Sequence, residues 1–181
     1  YPGYPKYPEL QYGHADGDQW TAAECDVSIR PGWFYHPEED DKVKSPEQLA
    51  DLYYRSVGHN GTFLLNFPVD RDGLIHPVDS ANAVAFHKII ERELGHNIVA
   101  GMAPKVSSTR GKQFAAKAMT DNSWDTYWAT PDGVTTADIE FRLKKPQPMN
   151  RIMLQEYIPL GQRVRKFSVE YLAADGSWKA V

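Results

Sequence analysis

One feature constrains this chain more than any other: an order of elements. Between residues 24 and 95 the hydrophobic pattern switches from strand to helix to strand to helix. That order predicts parallel strands with helices packed outside them. Past Gly101-Met102-Ala103-Pro104 the helical pattern stops. Short alternating runs replace it, "ADIEFRL", "NRIMLQEY" and "KFSVEYL", separated by turn signals such as "ADGS". This second pattern predicts an antiparallel β-sandwich. The expected fold is therefore α/β followed by all-β, with one domain over residues 1–100 and a second over 105–181.

The first strand lies in "ECDVSIRPGWFYH". Over residues 24–30 the chain alternates. Val27 and Ile29 fall on one face, and Glu24, Asp26, Ser28 and Arg30 on the other. Pro31-Gly32 ends the strand, and Trp33, Phe34, Tyr35 and His36 follow as a loop. In "SPEQLADLYYRSVG" Ser45 suits an N-cap, Pro46 the first helical position, and Gln48 completes a capping-box spacing. Leu49, Leu52, Tyr53 and Val57 form its apolar stripe, and Gly58 suits the stop. "GTFLLNF" reads as a short buried strand and "VDRDGLIHP" as a turn. "DSANAVAFHKIIERELG" reads as a helix with Phe86, Ile90 and Leu94 on one stripe and Gly95 at its end.

Residues 1–23 are rich in Pro, Gly and Tyr, and Pro2, Pro5 and Pro8 disfavour helix. The tyrosines of this irregular segment are suited to anchoring it on a surface. "HADGDQW" resembles a calcium loop but lacks the remaining ligand positions, which favours a turn.

Composition excludes some classes. Hydrophobic residues make up 41% of the 181, enough for a packed core. No apolar run approaches the roughly 20 residues a membrane span requires. No basic cluster is present to meet a phosphate backbone, so no nucleic-acid partner is expected. Cys25 stands alone, which removes any intramolecular disulfide. Both halves read as unfinished: two βα units cannot close a barrel of about 250 residues, and three or four strands fall short of the usual seven or so of a sandwich. The expectation is a window of a longer protein.

Two long strings carry a resemblance. "AECDVSIRPGWFYH" and "VGHNGTFLLNFPVDRDGLI" resemble the α-L-fucosidases of glycoside hydrolase family twenty-nine, and with the helices the match covers about residues 20–95. The "SIRPGWFYH" form is similar to the branch that prefers α-1,3/1,4-linked fucose. The resemblance implies the end of a (β/α)8-like barrel, then a partial sandwich. The tail resembles discoidin-type domains, the class that includes many carbohydrate-binding modules, through Asp121, Asp125, Thr126 and Trp128. In the domains it resembles, this loop often helps hold a structural calcium. Asp121 and Asp125 suit such an ion; capping a turn suits them equally.

The family hydrolyses fucosides with retention, which needs two carboxyls about 5–5.5 Å apart on opposite sides of the anomeric carbon. Glu24 and Asp26, two apart on one strand, lie about 6.6 Å apart and point the same way. They do not make such a pair. The resemblance puts the nucleophile before Tyr1, so the 181 residues alone are expected to be inactive, and leaves Glu24 two roles: acid/base, or partner to the sugar beyond fucose. A carboxylate that serves only nearby backbone or Arg30 is the third reading. Asp26 and Arg30 share Glu24's face, and Arg30 has the fork to orient acids. Trp33 can offer a ring face to a sugar; Trp20 and His36 suit the same mouth. For these aromatics the competing reading is loop packing. Asn66 suits hydrogen bonding or the mouth, His59 and His76 structural roles, His87 and His96 a helix surface, and "HPEEDDK" a solvated loop. The implied partner is a fucosylated oligosaccharide or glycoconjugate. No catalytic cofactor is implied, and the implied setting is periplasmic or secreted. The other class open to such a chain is a non-catalytic carbohydrate-binding or adhesion protein.

Overall fold

The computed structural model describes residues 13, 14 and 16–181. The tyrosine anchoring expected of residues 1–12 lies outside the described residues. The chain divides into two units: one runs to Ile98 and takes back Pro146–Ile152, and the other comprises Val99–Lys145 and Met153–Val181.

In the first unit, β1 (Glu24–Ser28) and β2 (Thr62–Asn66) pair in parallel, with Glu24 opposite Thr62 and Ser28 opposite Asn66. A parallel pair needs a crossover, and α1 (Pro46–Ser56) supplies it. Its start follows from the capping box: Gln48 N–H donates to Ser45 Oγ at 3.3 Å, and Ser45 N–H donates to Gln48 Oε1 at 2.9 Å. Its end differs from expectation. Gly58 does not stop the helix. The chain tightens over Val57–His59, and Asn60 takes the left-handed conformation, φ 66°. Asn is one of the few side chains that tolerate that region. Ser56 Oγ also donates back to the Leu52 carbonyl at 2.7 Å, the kind of bond that disturbs a last turn.

α2 (Pro77–Leu94) follows β2 and begins two residues before Asp79. Its cap is His76, whose Nδ1 accepts from Val78 N–H at 3.4 Å. His76 is thus the structural group it was expected to be. Phe63 of β2 meets Phe86 of α2 edge-on at 6.4 Å, and Tyr53 of α1 meets the same ring at 6.1 Å. Alternation therefore turns Phe63 toward the helices and leaves Glu24, Asp26, Thr62 and Leu64 exposed on the other face. Among the described residues Ile29, Leu49 and Ala50 form the buried apolar core.

The segment Pro146–Ile152, inside the range expected for the sandwich, belongs to this first unit. Arg151 holds it there. Its Nη2 lies 2.7 Å from Glu93 Oε2 and its guanidinium 4.8 Å above the Tyr54 ring, while Tyr54 OH donates to the same carboxylate at 2.8 Å. "NRIMLQEY" is accordingly not a strand.

In the second unit, β3 (Lys105–Val106) pairs antiparallel with β4 (Ile139–Glu140), and β5 (Glu170–Leu172) with β6 (Trp178–Ala180). Inside the unit, Tyr127 stacks on Tyr157 at 4.5 Å and lies 5.1 Å from Phe114. No helix among the described residues is long and apolar enough to cross a membrane.

Candidate functional site

Parallel strands concentrate chemistry at their C-terminal ends, where the loops into the following helices emerge. Here that end is marked by Ser28 and Asn66. Asn66 Nδ2 donates to Ser28 Oγ at 3.1 Å and to the carbonyl of Trp33 at 3.2 Å. One amide thus ties β2 to β1 and to the loop that β1 feeds. The hydrogen-bonding reading of Asn66 describes what it does.

The loop, residues 29–44, is pinned along its length. At its base Ile29 N–H donates to the Asn66 carbonyl and Lys44 N–H to the Ile29 carbonyl, at 3.0 and 2.9 Å. Lys44 Nζ donates to the carbonyls of Ser28 and Arg30, at 2.7 and 3.3 Å. Burial pushes this ammonium below its ordinary pKa, because desolvation disfavours the charged form. Asn82 of α2 donates to the Lys44 carbonyl at 3.0 Å.

The middle of the loop is held by Arg30. Its side chain is fully buried. Nε and Nη2 donate to the two carboxylate oxygens of Asp79, each at 2.8 Å. Nη2 also lies 2.9 Å from Asp40 Oδ1, and Nη1 donates to the His36 carbonyl at 3.3 Å. The Tyr35 ring covers the guanidinium at 4.6 Å. The bond with Asp79, above all, holds Arg30 further above its ordinary pKa despite burial. His76 Nε2 lies 3.6 Å from the other oxygen of Asp40.

This corrects two expectations. Arg30 was assigned to the face of Glu24 and Asp26, as the fork that orients them. β1 ends at Ser28, so alternation no longer governs residue 30, and the guanidinium turns inward to Asp79 and Asp40 instead. The acids of "HPEEDDK" are likewise not all solvated, since Asp40 is drawn into that cluster.

The remaining candidates are placed as follows. Trp33 and Phe34 project from the loop tip, 52% and 78% exposed. The His36 side chain is exposed beside Glu38, with Nδ1 3.8 Å from Oε1. Trp20 is 44% exposed ahead of β1. Glu24 is exposed at the first residue of β1, about 13 Å from Ser28 at the usual strand rise. Asp26 is exposed midway. The structure therefore gathers Trp33, Arg30 and His36 into one loop at the strand ends and leaves Glu24 at the far end of the same strand. Within "HADGDQW" Asp16 lies in a turn, and Gly17 N–H donates to the His14 carbonyl at 3.1 Å.

In the second unit Asp121 organises a turn. Thr126 Oγ1 donates to its Oδ2 at 2.7 Å and Ser123 N–H to its Oδ1 at 3.0 Å. These bonds, that of Thr126 first, hold its carboxyl below the usual range. Asp125 N–H donates to Ser123 Oγ at 3.2 Å, and Trp128 Nε1 donates to the Ser108 carbonyl at 3.1 Å. The turn-capping reading accounts for both oxygens of Asp121. Among the described residues no group of three or more His, Cys, Asp or Glu is arranged to hold a metal.

Comparison with known proteins agrees with this picture. Residues 104–181 match the family model of the F5/8 type C domain, a β-sandwich. A structure from Bacteroides thetaiotaomicron, provisionally named an α-L-fucosidase, superposes with a TM-score of 0.85 at 43% identity, over 97% of this chain and 38% of its own. A Ruminococcus gnavus fucosidase of glycoside hydrolase family 29, solved with fucose, gives a TM-score of 0.80 at 34% identity, over 93% of this chain and 34% of its own. α-L-Fucosidase 1 of Arabidopsis thaliana is 35% identical over 94% of this chain and 34% of its own length. The chain is homologous to the α-L-fucosidases. It spans about a third of the length of the curated fucosidases it matches.

Asp79, Asp40 and Lys44 were missed as members of this cluster. Each sits in a locally ordinary context, and only the 49-residue separation closed by the fold brings Asp79 to Arg30.

Proposed function

We propose that this chain is part of a glycoside hydrolase that removes α-L-fucose, α-1,3/1,4-linked, from glycans with retention of configuration. The observation that carries the proposal is homology to fucosidases over nearly the whole chain. The loop site supports it physically. A parallel strand pair ends in a pinned loop whose tip offers Trp33, and an aromatic face suits the C–H side of a sugar or the methyl of fucose. The 1,3/1,4 preference rests on the "SIRPGWFYH" form. The partner is a fucosylated oligosaccharide or glycoconjugate, met in the periplasm or outside the cell. We assign the β-sandwich a glycan-contacting role and give a structural calcium no part in the reaction.

Retention requires a nucleophile and an acid/base carboxyl about 5–5.5 Å apart. We place the nucleophile in the rest of the enzyme. The roughly 13 Å between Glu24 and the loop end of β1 supports a place for Glu24 outside the fucose subsite that Trp33 helps form. Asp26, exposed between them, is a candidate contact to the glycan. Arg30 acts by holding the loop rather than by touching sugar.

The test is hydrolysis of fucosyl-1,3/1,4-branched oligosaccharides by the full-length protein, with Glu24→Ala beside it. Release of fucose with retained anomeric configuration is expected, and for Glu24→Ala a raised KM with kcat little changed; no change in either constant would remove Glu24 from the site. A fall in kcat of a hundredfold or more, in the range general acid/base groups supply (about 10²–10⁴), would return Glu24 to the proton-donor role. Binding of the oligosaccharide without hydrolysis would favour the non-catalytic reading, which the F5/8 type C match also suits.

A further inference from the structure

We infer that Asp79 is a positioning residue for the candidate sugar site: through Arg30 it sets the conformation of the loop that carries Trp33. The inference rests on the proposed function and deepens it. Asp79 is fully buried in the first turn of α2, where the helix dipole favours a carboxylate. In a parallel βα unit the N-terminus of the helix lies at the same end as the C-terminus of the strand. Asp79 therefore sits at the loop-bearing end without reaching solvent.

Both its oxygens are committed to one guanidinium. That guanidinium binds the loop at two further points, the His36 carbonyl and Asp40, with Tyr35 stacked over it. A buried ion pair is a weak source of stability, since desolvation offsets most of the attraction and apolar replacements often serve as well. What the bidentate fork supplies is direction. Here the direction is transmitted to the four residues Pro31–Phe34, which leave the clamp and carry the exposed Trp33. Asn66 of β2 holds the Trp33 carbonyl. The loop tip is thus fixed between α2 and β2, with Asp79 as the anchor on the helix.

The experiment uses the full-length protein, with Asp79→Asn, Asp79→Glu, Trp33→Ala and the Asp79→Asn/Trp33→Ala double variant. Two quantities are read: kcat and KM on a fucosyl-1,3/1,4-branched oligosaccharide, and hydrogen exchange over residues 31–43. Asp79→Asn is expected to raise KM about tenfold, with a smaller change in kcat and faster exchange confined to the loop. Asp79→Glu should recover part of the loss. The double variant should be no worse than the worse single one, because both act on one element. Unchanged KM, or effects of Asp79→Asn and Trp33→Ala that multiply independently, would overturn the inference, even with exchange increased. If Asp79→Asn does not fold, Asp40→Asn takes its place. It removes a partner of the same guanidinium from a part-exposed position, and the same readouts apply. If the wild-type protein hydrolyses no fucoside, the proposed function fails. Exchange over 31–43 then decides the clamp alone, faster exchange in Asp79→Asn supporting it and no change overturning it.

Discussion

Arg30 and Asp79 lie 49 residues apart in sequence and meet through two parallel hydrogen bonds of 2.8 Å, neither side chain exposed to solvent. The pair fastens the end of β1 to the first turn of α2. It also means that Arg30 is not available to Glu24 or Asp26.

Removing one partner leaves a buried charge uncompensated. Asp79→Ala is expected to destabilise the full-length protein by about 3–5 kcal/mol, while the double change Arg30→Met/Asp79→Leu recovers much of that loss. Denaturant unfolding measures both. A single variant as stable as wild type contradicts the burial described here.

Trp33 stands at the tip of the pinned loop, half exposed. Trp33→Ala should leave stability within about 0.5 kcal/mol and raise KM for a fucosylated oligosaccharide, with kcat less affected. Thermal unfolding together with steady-state kinetics checks the split. A loss of stability without a change in KM would make Trp33 a packing residue.

Ser45 and Gln48 cap α1 reciprocally. Ser45→Ala is expected to cost about 1 kcal/mol, within the usual range of about 0.5–2. Ser45→Asp should be nearly neutral. Equilibrium unfolding of the two variants distinguishes a capping effect from a general intolerance at the site.

Glu93 holds the returning segment Pro146–Ile152 through Arg151. Its carboxyl is kept below the ordinary value by Tyr54 first, with Arg151 and Arg92 assisting. A depressed acid contributes stability that is fully present above its unfolded pKa, about 4.3, and is lost as pH falls through the folded value. The difference in thermal midpoint between wild type and Glu93→Gln should therefore be constant from pH 7 to about 5. It should shrink below about 4.3, as the wild-type carboxyl takes up its proton. A difference that grows on acidification would reverse the sign and refute the assignment.

The sequence was legible wherever the cause was local. The capping box of α1 follows from a spacing of three residues, where backbone geometry leaves little choice, and the parallel pair follows from the alternation of strand and helix; the start of α2 at Pro77, two residues before the expected Asp79, did not. It was legible too in long strings whose resemblance points to fucosidases. It misled where a tertiary partner outcompeted a local preference. Asn60 rather than Gly58 takes the left-handed position, because the serine bond at residue 56 and the entry into β2 set where the chain must reverse. The start of "NRIMLQEY", which alternates like a strand, is drawn to the first unit with Pro146–Ile152, where Arg151 meets Glu93 and Tyr54.

By itself, then, the sequence determined the order of strands and helices in the first unit and which residues the loop after β1 carries, because periodicity and caps act over a few residues. Only the tertiary structure decided which acids Arg30 would hold and at which end of β1 each candidate would lie. A buried guanidinium takes the carboxylates that folding carries to it, and no local pattern specifies a partner 49 residues away.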